Sequence, residues 1–188
     1  PCLPGARGER RGMSYDGLIR TGRKRRLFTS GSTAEPVEMG RDAIERMVPH
    51  RPPFLFVERI SAVDLQQRTV TAHRRVEPDD PVLAGHFPGD PVYPGVLLLE
   101  TMAQACICLQ SVVASGRAVP ADDAPPPRLR LLRVERATFV TEARPGDELT
   151  VLAQILEDTG YTATLAGQVL RGDDEICAIA ILEAVLLD

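Results

Sequence analysis

The chain lacks the spacings that mark a metal site. Its four cysteines, Cys2, Cys106, Cys108 and Cys177, match no zinc pattern, and no histidine lies near them in a ligand arrangement. Cys106 and Cys108 are two residues apart in a predicted helix and cannot face one another, so all four read as small thiols in a reducing cytoplasm. No apolar run looks long enough to cross a bilayer, and no charged start leads into an apolar segment, so neither a membrane span nor a secretory signal is expected. Lysine is nearly absent, with Lys24 the one lysine among 22 basic residues, which we read as coding bias. No internal repeat is visible.

Charge is present but unevenly spread. Residues 1–37 carry eight basic side chains and three acidic ones, whereas the rest carries 14 basic and 23 acidic, a net of -9. An acidic body is a poor prospect for binding nucleic acid. The first 37 residues lack hydrophobic periodicity. They are expected to be a disordered basic arm, or an expression or start-site artefact with Met13 as an internal start. The run Arg23-Lys24-Arg25-Arg26 is expected to be a solvated tail, or else to touch an acidic partner. Residues 38–188, at an overall 44% hydrophobic content for the chain, suffice for one domain with a real core.

The order of elements in that domain is legible. A short helix fits Arg41 to Val48 and stops at Pro49. Phe54 to Val63 and Thr69 to Val76 read as strands, followed by a stiff Pro/Gly loop. Val96 to Ser115 reads as a long helix ended by Gly116. Four strands follow: Leu129 to Val140, Glu148 to Leu156, Tyr161 to Leu170 and Ile176 to Leu186. Short turns between consecutive strands argue for an antiparallel sheet. The long helix is apolar nearly all round and must be covered on most sides. The economical arrangement is an α+β fold, a curved antiparallel sheet wrapped around one central helix.

The stretch GHFPGDPVYPGVLLLETMAQA, residues 85–105, carries the chemistry. Pro88, Pro91 and Pro94 restrict the backbone, so the loop holds His86 in a set direction and hands the chain to the helix at Gly95. The unpaired N–H groups at that helix end can bind a polarised carbonyl oxygen. Glu100 is the lone charged side chain between Val96 and Gly116. Its neighbours one turn away are Val96, Leu97, Ala103 and Gln104, so it is expected to be kept from water, which suits a carboxyl to donating a proton. His86 is the natural base. Base, acid and helix end together suit proton transfer beside a carbonyl; no serine or cysteine nucleophile with a triad is evident. The spacing alone leaves open a plain loop histidine and a glutamate paired within the core.

Residues 85–105 resemble the signature of the FabZ-type 3-hydroxyacyl-acyl-carrier-protein dehydratases: Gly-His-Phe-Pro, then Pro-Gly-Val-Leu, then Glu-x-Met-Ala-Gln. IERMVPHRPPFLFVERI (Ile44 to Ile60) is similar to that family's first helix and Pro-His-Arg strand. ATFVTEARPGDELTV (Ala137 to Val151) is similar to its Pro-Gly-Asp hairpin. The resemblance runs from about residue 40 to the C-terminus. It implies the hot-dog fold and loss of water from a (3R)-hydroxyacyl thioester on acyl carrier protein. It implies His86 as base and Glu100 as acid, assembled between subunits of a homodimer or trimer of dimers. The Gly95 and Val96 N–H groups would bind the thioester oxygen, Gln104 would orient Glu100, and Phe87 and Tyr93 would line an acyl tunnel. No cofactor and no metal are implied. His50 is expected to be structural in its turn and His73 to lie on the surface.

The resemblance has departures. Asp79 to Ala84 stand where the family has two aromatics ahead of its Gly-His-Phe-Pro, which implies a differently shaped tunnel mouth. Val140, Thr141 and Glu142 replace basic residues after Phe139. Arg128, Arg130, Arg133 and Arg136 are then the candidates to face an acidic carrier. Asp90-Pro91-Val92 also resembles the FabA-type dehydratase-isomerases, which place aspartate where Glu100 stands, so isomerase activity is not expected. A hot-dog thioesterase and a non-catalytic subunit of a heteromeric dehydratase are the alternatives.

Overall fold

The computed structural model describes residues 15–29 and 31–187. In chain order its elements are α1 (Asp16–Gly22), β1 (Glu35–Met39), α2 (Arg41–Met47), β2 (Arg59–Asp64), β3 (Thr69–Arg75), α3 (Pro81–Gly85), α4 (Gly95–Ser115), β4 (Arg128–Phe139), β5 (Glu148–Asp158), β6 (Thr162–Arg171) and β7 (Glu175–Leu187). The seven strands form one sheet in the order β1-β2-β3-β5-β6-β7-β4, and every pairing is antiparallel. This is the expected hot-dog arrangement, with α4 packed against β3, β4, β5, β6 and β7.

Local chemistry sets the element ends. Val48 turns extended (φ -125°, ψ 148°) because Pro49 follows it, and α2 stops there. Gly116 takes the left-handed conformation (φ 64°) that ends α4. Helix and sheet approach closely at Gly167 of β6, where an added Cβ would lie 2.6 Å from the Met102 Cβ. Leu98, Met102, Ala105, Cys106, Leu109 and Val112 bury the inner face of α4. Taking such side chains out of water contributes roughly 1.5–3 kcal/mol each for the larger ones.

Three expectations are corrected. The first concerns α4, which is long and apolar enough to cross a membrane, contrary to the sequence reading that no such run exists. Most of that helix is buried within the fold, which is how the core helix of a wrapped sheet satisfies the same test.

The second concerns the basic arm. Residues 1–14 and 30 lie outside the described residues. Residues 16–29 are structured: α1 and the residues after it lie across the outer face of the sheet. Ile19 packs with Ala166, Ile179 and Ile181. Gln168, fully buried on β6, accepts the Leu27 N–H (2.6 Å) and donates to the Gly22 and Arg25 carbonyls (2.6 and 2.9 Å). Arg26 pairs with Asp174 (2.5 Å). β1 then pairs with β2. Periodicity missed this segment because its few apolar residues are anchored by partners more than a hundred residues away.

The third concerns the first predicted strand. It begins only at Arg59, since residues 54–57 leave the sheet. The Phe56 N–H is satisfied by the Gln104 side chain (2.8 Å), and the Phe56 carbonyl by Arg74 (3.3 Å).

Candidate active site

The loop into α4 is more built than its prolines alone predict. Asp80 caps α3 by accepting the Val82 N–H (3.0 Å), and Arg74 sits 3.5 Å from the same carboxylate. Residues 86–92 then close on themselves. The Val92 N–H donates to the His86 carbonyl (2.8 Å), and the Asp90 N–H to the Phe87 carbonyl (3.1 Å). The His86–Phe87 peptide is cis. Arg144 ties the loop to the β4–β5 connection through Asp90 (2.6 Å) and Glu142 (2.5 Å). Within this frame His86 Nδ1 lies 2.8 Å from the Val92 carbonyl. A carbonyl only accepts, so Nδ1 carries the proton and the neutral ring keeps a bare lone pair on Nε2. That is the tautomer a general base needs.

At the start of α4 the N–H groups of Gly95 and Val96 have no partner among the described residues, while the Leu97 N–H already donates to Pro94. The Phe139 ring lies directly over Gly95, where an added Cβ would meet it at 2.9 Å. A cleft of about 330 Å3 opens here, lined by Tyr93, Gly95, Val96, Leu98, Phe139 and Thr141 among others. Tyr93 is 1% exposed and its ring lies under the Arg74 guanidinium, 5.2 Å from the centroid. Burial pushes the Tyr93 hydroxyl above its ordinary range, against the opposing pull of Arg74.

One turn into α4, Glu100 Oε1 accepts from Gln104 Nε2 at 2.9 Å. Gln104 is fully buried and its amide orientation is forced: Oε1 takes the Phe56 N–H, so Nε2 serves the Phe54 carbonyl (3.0 Å) and Glu100. His50 Nε2 lies 3.4 Å from the same Glu100 oxygen. A second cleft, about 140 Å3, is lined by His50, Glu100 and apolar side chains including Ile107, Leu131, Leu165 and Leu182.

The predicted site residues therefore fall into two groups. Gly95, Val96 and Tyr93 share the first cleft. Glu100 and Gln104 stand together, hydrogen-bonded, with Glu100 facing the second. His86 belongs to neither within one chain: its contacts are the Val92 carbonyl and the Phe87 ring, with centroids 4.1 Å apart. Phe87 is 55% exposed and borders the depression around Pro78 and Pro91, so it lines neither cleft. Glu100 is not sealed from water either; its side chain is 26% exposed, because the cleft beside it is open in the single chain.

Other expectations shift as well. His50 does more than shape its turn, since it faces Glu100. Its Pro-His-Arg setting was visible, but nothing in the sequence shows that residues 54–57 leave the sheet and lie beside α4. His73 is half-buried, with Nε2 2.7 Å from Ser61 Oγ; burial, then Arg59, lower its pKa to about 4. Burial pushes the Cys106 and Cys108 thiols up to about 12, which makes them inert. Of the arginines expected to face a carrier, Arg133 is tied to Glu135 and Glu183 (2.6 Å each) and Arg136 to Asp16 (3.4 Å). Among the described residues no group of three or more His, Cys, Asp or Glu side chains is placed to hold a metal ion.

A family model described as FabA-like domain matches residues 48–180. The 3-hydroxyacyl-[acyl-carrier-protein] dehydratase FabZ of Anaeromyxobacter sp. is 37% identical over 157 residues, covering 80% of this chain and 96% of that protein. The chain belongs to the FabZ-type dehydratase family. A second FabZ, from Chlamydia trachomatis serovar L2, is 38% identical over 116 residues, or 62% of this chain and 72% of its own. Among solved structures, the dehydratase heterocomplex ApeI:P of Xenorhabdus doucetiae superposes with a TM-score of 0.60 at 21% identity, covering 77% of this chain and 91% of that one. This likeness concerns the hot-dog fold that the family shares. The FabA-like match spans both the His86 loop and the Glu100 helix.

Proposed function

We propose that this chain is a hydro-lyase that removes water from (3R)-hydroxyacyl thioesters on acyl carrier protein, giving trans-2-enoyl thioesters in fatty-acid synthesis in the cytoplasm. The observation that carries the reading is the complementary state of two groups. His86 has its Nδ1 committed to a carbonyl and its Nε2 bare, while Glu100 has one oxygen held by Gln104. His86 Nε2 takes the C2 proton. The C2–C3 double bond forms as the C3–O bond breaks, and Glu100 gives its proton to the departing hydroxyl. The Gly95 and Val96 N–H groups hold the thioester oxygen as charge builds there. The apolar cleft beside Glu100 takes the acyl chain. The FabZ relatives favour this reading over thioester hydrolysis.

A second copy of the chain completes the site by bringing its own His86 to Glu100. Support for this comes from the outer edge of the sheet, where β4 leaves Leu131 and Leu132 more than half exposed, an apolar edge that a monomer would rarely leave open. The family resemblance further suggests a homodimer or a trimer of dimers.

The test is a panel of 3-hydroxyacyl thioesters on carrier protein and on coenzyme A, with dehydration followed by mass. His86→Ala and Glu100→Gln should each abolish turnover without unfolding. When the two inactive variants are mixed and allowed to exchange subunits, about a quarter of the sites should become whole. Full activity in either variant alone sinks the assignment, and no recovery on mixing sinks the shared site.

A further inference from the structure

Glu100 has two nitrogens against one of its two oxygens. Gln104 Nε2 (2.9 Å) and His50 Nε2 (3.4 Å) both approach Oε1, and Oε2 has no partner among the described residues. We propose that His50 is a positioning residue for Glu100: it donates its Nε2–H to Oε1 and thereby keeps the acid proton on Oε2, where the leaving hydroxyl collects it. This inference rests on the dehydratase reading above.

The protonation pattern follows from the surroundings of the ring. His50 Nδ1 is buried with no partner among the described residues. A proton there would be a buried donor without an acceptor, which costs more than a bare lone pair beside a donating Nε2–H. The neutral ring therefore carries its proton on Nε2, facing the carboxyl. At 3.4 Å the contact is longer than a good hydrogen bond; such contacts commonly tighten in the substrate complex. The ring is held for this task. Arg51 Nη1 donates to the His50 and Val48 carbonyls (2.7 and 3.0 Å), and the ring stacks with Phe54 at 6.2 Å between centroids.

The proton count closes without a co-reactant. One turnover leaves the C2 proton on His86 and Glu100 as the anion. Water departs, and the proton returns from His86 to Glu100 Oε2 before the next cycle. His50 neither gains nor loses a proton. Because Oε1 keeps its two donors in both states of Glu100, the carboxyl does not turn between cycles.

The experiment compares His50→Leu, His50→Gln and His50→Asn in the full chain, by steady-state dehydration of a 3-hydroxyoctanoyl thioester on acyl carrier protein, with melting curves as the folding check. A glutamine amide nitrogen reaches the place of Nε2; an asparagine nitrogen reaches only that of Nδ1. His50→Leu and His50→Asn should lower kcat by roughly tenfold to a hundredfold. KM should stay within about threefold, and His50→Gln should recover most of kcat. The inference is overturned if His50→Leu keeps kcat within about threefold, if Gln and Asn behave alike, or if the loss falls on KM. Should His50→Leu fail to fold, the Gln and Asn pair decides, being close in size and polarity. An unsubstituted protein that releases no water overturns the dehydratase reading itself, a result distinct from all of these.

Discussion

The Gln104 amide donates to Glu100 Oε1 at 2.9 Å while its own oxygen accepts the Phe56 N–H at 2.8 Å. One buried side chain thus joins the helix carrying the candidate acid to the segment that leaves the sheet beside it. The amide that holds the carboxyl cannot move without giving up its contacts to the Phe56 N–H and the Phe54 carbonyl as well.

Replacing Gln104 should therefore act on stability and turnover together. Gln104→Leu leaves the buried Phe56 N–H and the Phe54 carbonyl unpaired, at a cost of about 2–4 kcal/mol. Denaturant unfolding measures that loss. Dehydration kinetics of the folded fraction should show kcat falling roughly tenfold, since Glu100 loses its principal donor.

Gly95 should tolerate no side chain while Phe139 stays in place. Gly95→Ala drives a Cβ to 2.9 Å from the ring and should destabilise the fold by about 1–3 kcal/mol. In the Gly95→Ala/Phe139→Ala pair most of that strain should vanish. A double-mutant cycle reads the coupling directly, and additive effects would show that the contact is not tight.

The outer strap should detach without affecting chemistry. Gln168→Ala removes the three contacts that hold residues 22–27 to β6. It should cost about 1–3 kcal/mol of stability and open the arginine-rich run to trypsin. Turnover should not change, because Gln168 lies on the face of the sheet opposite α4. Unaltered proteolysis would mean that the apolar packing of Ile19 and Leu27 and the Arg26–Asp174 pair hold the strap without Gln168.

His73 should make stability fall with acid over a defined window. Its folded pKa of about 4 lies below the ordinary value of 6.5, because burial and then Arg59 oppose its charge; Arg26 acts likewise and Glu38 the other way. The unfolded chain binds this proton first, so stability is lost as pH drops from about 6.5 towards about 4. His73→Asn keeps a polar partner for Ser61 without titrating and should flatten the slope in that window. An identical slope in the variant would assign it to other groups.

Much of this was legible along the chain. Hydrophobic spacing located α2, α4 and the strands from β3 to β7 to within a few residues, and the long turn-free apolar helix implied a sheet around it. His86, Gly95, Glu100 and Gln104 could be singled out because each breaks the pattern around it: a histidine among prolines, a helix start without a side chain, a charge and an amide among apolar residues. Three of the failures share one cause. α1, the early end of the first predicted strand, and His50 depend on Gln168, on Gln104 and Arg74, and on Glu100. Each of these partners is far away in sequence, and no local period reports it.

By itself the sequence determined the helix, the strands and the residue types of the site, because spacing, turn chemistry and capping act over a few residues. Tertiary structure alone decided which side chains meet. It set His50 and Gln104 on one oxygen of Glu100, placed His86 away from that carboxyl within the chain, and laid a basic segment across the sheet as a strap. Those outcomes follow from buried hydrogen bonds that must be satisfied wherever the fold brings their partners.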